Sequence, residues 1–119
     1  MLSPARIARR EALMSDPRFR PRRCTSEPGA FGKADTIAWN QPVSEPDHDR
    51  ILAAQMQHRY AVRISKRSRA KYGSLKGYAE AAGLNYDRLS KIIRGEALMR
   101  FEDLANAERL LGGIVGDGS

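Results

Sequence analysis

Apolar residues recur at a helical period through much of the second half of the chain and lose that period in the first half. Over residues 49–71 no Gly or Pro intervenes, and Ala53, Met56, Tyr60 and Ile64 step along one face at i, i+3, i+7 and i+11. This predicts one long helix, with Asp47 or Asp49 as its cap and Gly73 as its stop. Ser74 suits the cap of a short helix, LKGYAEAA, that Gly83 ends. Asn85 suits the cap of a second, YDRLSKIIR, that Gly95 ends. A last helix is expected over residues 100–111, with Phe101, Leu104, Ala107 and Leu111 facing inward, and GGIVGDGS reads as a loose tail.

The first half is punctuated instead. Residues 4–14 predict a short helix, with Ser3 as cap, Pro4 at the first position, and Ile7, Leu13 and Met14 as its larger apolar residues. Beyond it, Pro17, Pro21, Pro28, Pro42 and Pro46 break any long element, and Gly29 and Gly32 add turns. DTIAWN reads as a short strand or as an extended arm packed through Ile37 and Trp39. Phe19, Phe31 and Trp39 argue against a purely disordered segment, since such segments are poor in aromatics. The expected fold is therefore all-α, a compact helix-turn-helix domain of about four helices behind an irregular N-terminal extension. The divisions fall at residues 1–48 (extension), 49–112 (domain) and 113–119 (flexible tail).

Two short helices joined by a glycine-containing turn are the sequence form of a helix-turn-helix. Ala79 stands where a larger side chain would push the two helices apart, and Gly83 permits the positive φ of a tight turn. Leu84, Leu89 and Ile92 supply apolar contacts from the turn and the second helix. Through the run SLKGYAEAAGLNYDRLSKIIRGEALMRFEDLANAERLLG, residues 74–112, the sequence resembles the lambda-repressor/Cro-like (Xre-type) helix-turn-helix family. The resemblance implies a supporting helix over 75–82, a recognition helix over 85–94, a core-closing helix over 104–111 and a first helix over 49–71. Tyr78 stands where the family usually has leucine. Gly77 inside the supporting helix costs about 1 kcal/mol relative to Ala. The first helix is longer and more basic than the family's, and no fifth helix is legible; the N-terminal extension is expected to cover the core in its place.

Charge sharpens the picture. The net charge of +7 and pI of 10.1 favour a polyanionic partner. Residues 50–100 hold 12 Lys and Arg against 3 Asp and Glu, so the basic charge belongs to the middle of the chain. With Leu89, Ile92 and Ile93 inward, the second helix turns Tyr86, Asp87, Ser90, Lys91 and Arg94 outward, where a helix lying in a major groove reaches base edges. Tyr86 would meet a thymine methyl or a phosphate, Asp87 a cytosine amine, and Lys91 a guanine edge or a phosphate. Ser90 is adaptable, and Arg94 suits the backbone or a flanking base. Phosphate contacts are expected from the backbone at Ser74 and Leu75, from Lys76, and further from Asn85, Arg69, Lys71 and Arg100. Arg18, Arg20, Arg22 and Arg23 would serve a minor-groove arm. Plainer alternatives stand beside these. Asp87 also complements a helix dipole, Tyr86 also packs on a surface, Asn85 is explained by capping alone, and the basic run over 59–71 is also a solvated face.

Cys24 is the single cysteine, so no internal disulfide or multi-cysteine metal site is open to the chain. His48 and His58 lack partners at metal-ligand spacing and read as surface residues. No catalytic constellation stands out, so the expectation is a non-enzyme without cofactor or metal. No apolar run approaches the roughly 20 residues of a membrane span, and the N-terminal residues lack the apolar core of a secretory signal. A cytoplasmic protein, nucleoid-associated when bound to DNA, is expected. The favoured function is a sequence-specific double-stranded-DNA-binding transcriptional regulator, a repressor acting through an operator, with homodimerisation on pseudo-palindromic sites. The alternatives are an antitoxin or phage adaptor that works through protein–protein contact by its N-terminal extension, and a non-specific nucleic-acid-binding protein.

Overall fold

Ser44 and Asp47 start the long helix. The Ser44 hydroxyl accepts the Asp47 backbone N–H at 3.2 Å, and the Asp47 carboxylate accepts that of Val43, the residue before the cap, at 2.9 Å. In the computed structural model, which describes residues 19–116, helix α1 accordingly spans Glu45–Tyr72 and begins ahead of the expected residue 49. The cap is Ser44, not Asp47 or Asp49. Pro46 does not bar this start, because a first-turn N–H has no intrahelical partner to lose. The helix expected over residues 4–14, and Arg18, lie outside the described residues.

Three helices follow: α2, Leu75–Ala82; α3, Tyr86–Ile93; and α4, Phe101–Leu110. The described residues are thus all-α, and an isolated antiparallel bridge between Thr25 and Trp39 stands where DTIAWN left a strand or an arm open. Gly83 takes φ +70°, and the N–H groups of Gly83 and Leu84 bond back to the Glu80 and Ala79 carbonyls at 3.3 and 2.8 Å. This closes the end of α2 and turns the chain into α3. Gly77 has its own reason: a Cβ there would stand 2.3 Å from the Tyr72 carbonyl oxygen.

The buried stripe of α1 is not the one its apolar pattern suggests. Ile51, Ala54, Gln57, His58, Ala61, Ile64, Ser65 and Ser68 are buried, whereas Met56 is 47% exposed and Ala53 is also outside. Hydrophobicity misplaced the face because four polar residues on the inner side are covered, two of them by hydrogen bonding to distant backbone. The core joins Ala61 and Ile64 of α1 to Tyr78 and Ala79 of α2, Leu89 and Ile93 of α3, and Ala107 of α4. Tyr78, in its leucine-like place, reaches out of that core: its hydroxyl donates to Asn106, and burial pushes its pKa up to about 12.

Two parts expected at the margins belong to this core. Phe31, 1% exposed, and Ile37 enter it from the N-terminal arm. Ile114 enters it from the segment read as a loose tail, and the Arg63 guanidinium donates to the carbonyls of Ile114 and Gly116 at 2.6 and 2.7 Å. Ile114 is therefore packed in the core, while Val115 and Gly116 beside it are exposed. Phe101, by contrast, is 89% exposed and not inward, because α4 starts there and presents Leu104, Ala107 and Leu111 to the core instead.

Candidate nucleic-acid interface

The outer face of α3 follows from its inner one. Leu89, Ile92 and Ile93 are buried, which leaves Tyr86, Asp87, Lys91 and Arg94 exposed and Ser90 half-buried. The Asn85 carboxamide oxygen accepts the Arg88 backbone N–H at 2.9 Å, so Asn85 caps α3. The Arg88 side chain turns away from the face and makes two bonds of 2.9 Å to Asp103, which holds its guanidinium pKa above the usual value. Asp103 also accepts the Arg100 backbone N–H at 2.8 Å, so one carboxylate ties α3 to the start of α4.

Helix α2 offers its N-terminus beside this face. The Ser74 hydroxyl accepts the Gly77 N–H at 2.9 Å, Leu75 is half-buried against the core, and Lys76 is exposed. Arg69 of α1, Leu75, Ser90 and Arg94 line one notch. Four of the expected contact residues thus converge. Two others go elsewhere: the Lys71 ammonium donates to the Leu110 carbonyl at the end of α4, and Arg100 stands at the start of α4. Arg94 is partly neutralised by Glu96 at 2.9 Å.

Three residues hold this surface in ways the sequence did not indicate: Gln57 was not singled out, His58 was expected at the surface, and Arg22 was expected in a minor-groove arm. Gln57 is buried and reaches across to the segment after α3. Its amide N–H donates to the Ile92 and Ala97 carbonyls at 3.0 and 2.8 Å, and its oxygen accepts the Met99 N–H at 2.9 Å. His58 is not a surface histidine but 5% exposed. Its Nδ1 accepts the Gly32 N–H at 2.9 Å, it meets the rings of Phe31 and Trp39 edge-on, and burial pushes its pKa down. The Arg22 N–H donates to the Gly95 carbonyl at 3.0 Å, and its guanidinium pairs with Glu96 at 3.0 Å. Nothing local announces these contacts, because each joins segments far apart in the chain.

A second surface differs in kind. Ala53, Met56, Tyr60, Leu98, Phe101 and Leu104 border an apolar groove between α1 and the start of α4. Among the described residues no helix is long and apolar enough to cross a membrane. Comparison with protein-family models, with curated proteins and with solved structures returns no match.

Proposed function

We propose that the chain is a sequence-specific double-stranded-DNA-binding regulator of transcription of the lambda-repressor-like kind, acting without catalysis by occupying an operator. One observation carries the reading: α3 keeps Tyr86, Asp87, Lys91 and Arg94 exposed while three apolar residues hold it, and the N-terminus of α2 stands next to it. A helix fits the major groove and reads base edges with such donors and acceptors, while an adjacent helix N-terminus and cations hold phosphates. The basic excess between residues 50 and 100 supplies attraction to the duplex that is independent of sequence.

The test is selection of bound duplexes from random DNA, repeated with Lys91→Ala. A single enriched motif is expected, and the variant should lose discrimination of about 1–3 kcal/mol at one base pair. Equal losses on specific and non-specific duplexes would reassign Lys91 to phosphate contact. Absence of any enriched motif would overturn the reading. The alternative, a protein-interaction module, draws support from the exposed groove at Met56, Leu98 and Phe101, since exposed apolar patches mark interaction surfaces.

A further inference from the structure

The notch between α1 and α3 has a third wall, made by the N-terminal arm. Lys33 joins Ser65, Arg69, Ser90 and Arg94 around a cavity of about 200 Å³. Among the described residues neither Lys33 nor Arg69 is in an ion pair, and Glu96 is shared between Arg22 and Arg94, so the notch has more cations than carboxylates. Two hydroxyls, of Ser65 and Ser90, add uncharged donors.

Lys33 is held there by backbone geometry and not by its own side chain. Gly32 takes φ +74°, and a Cβ on it would stand 2.0 Å from the Ile93 carbonyl oxygen, so only glycine lets the arm lie this close to α3. The Gly32 N–H is bonded to His58 and the Lys33 N–H to the Ala30 carbonyl at 3.0 Å. The arm's turn is therefore anchored to α1 and pressed on the end of α3, with Lys33 next in line. An ammonium whose backbone is anchored beside a proposed groove-reading helix, with hydroxyls lining the same notch, suits a phosphate as a point charge rather than a planar base edge.

Resting on the reading above, we propose that Lys33 and Arg69 form a phosphate clamp in which the arm grips the DNA backbone flanking the groove that α3 enters. The clamp carries no sequence information. It sets how deeply and at what register α3 sits.

Binding of the chain, residues 1–119, to its selected duplex, measured as a function of salt, tests this. Lys33→Ala should lower the magnitude of the slope of log K against log salt by about 0.9 and weaken binding about five-fold at 0.15 M salt. The enriched motif should stay the same. Arg109→Ala removes an equal charge from the exposed end of α4, outside the basic window of residues 50–100 and outside the notch, and should keep the wild-type slope. A wild-type slope in Lys33→Ala, or equal slope losses in both variants, would overturn the clamp while leaving DNA binding intact. A wild-type chain that binds no duplex would overturn the underlying reading, and the clamp with it.

Discussion

Helices α2 and α3 close their backbone hydrogen bonds locally, through Ser74, Gly83, Asn85 and Gly95, whereas the arm over residues 19–43 closes many of its own through distant partners. The Thr25 hydroxyl donates to the Ala38 carbonyl, Asn40 N–H to that of Cys24 at 2.9 Å, and Gly32 N–H to the His58 ring. Both regions nonetheless place side chains in one core, Leu89 and Ile93 from the helix, Phe31 and Ile37 from the arm. The lesson is that irregular backbone can carry core residues as firmly as a helix, provided that its polar groups find partners and its close approaches are made by glycine.

If that equivalence holds, Phe31→Ala should destabilise as strongly as a helix-core truncation. About 3–5 kcal/mol is expected for Phe31→Ala and about 2–5 kcal/mol for Leu89→Ala, read from urea unfolding of the full chain. A loss below 1 kcal/mol for Phe31 would show that the arm merely rests on the helices. The glycines sharpen the contrast. Gly32 and Gly83 have φ of +74° and +70°, but a Cβ at Gly83 meets nothing within 4 Å. Gly83→Ala should therefore cost only the left-handed backbone strain, about 1–2 kcal/mol, while Gly32→Ala adds a clash with Ile93 and should reach about 3 kcal/mol. Equal costs would mean that the arm yields freely.

The smallest effect expected is a pH dependence. Burial lowers the His58 pKa below the usual 6.5, so the unfolded chain takes up a proton that the folded chain refuses. The stability is fully present above pH 6.5 and should decline as pH falls below it towards the folded-state value. His58→Asn, with its own acceptor for the Gly32 N–H, should flatten the fall of the denaturation midpoint over that range. An unaltered slope would show that His58 is not its source.

Much of the helix pair was legible because its signals lie within a few residues of their effects. A cap, a turn glycine and an apolar residue one turn on each act on their own neighbourhood, and the exposed face of α3 follows from its buried face by periodicity alone. Helix α1 was legible in existence but not in orientation. Gln57 and His58 look solvent-facing by chemistry, yet each is buried with a backbone carbonyl or N–H from a remote segment bonded to it, at His58 through Nδ1 alone. Phe101 erred the other way, an apolar residue that the helix start leaves outside. For the candidate site, Arg69, Leu75, Ser90 and Arg94 converge, but Lys33 could not be associated with them from a Pro- and Gly-rich stretch that has no period.

The amino-acid order alone determined that the described residues are all-α, where α2 and α3 begin and end, and which residues α3 keeps outside. Capping, φ preference and helical periodicity are properties of a few consecutive residues, so no distant contact is needed to predict them. The tertiary structure alone decided which face of α1 is buried, that Phe31, Ile37 and Ile114 complete the core, and that Lys33 joins the notch beside α3. Each of those outcomes depends on hydrogen bonds and close approaches between segments far apart in the chain, such as Gly32 to His58 and Gln57 to Ile92, and local pattern carries no record of them.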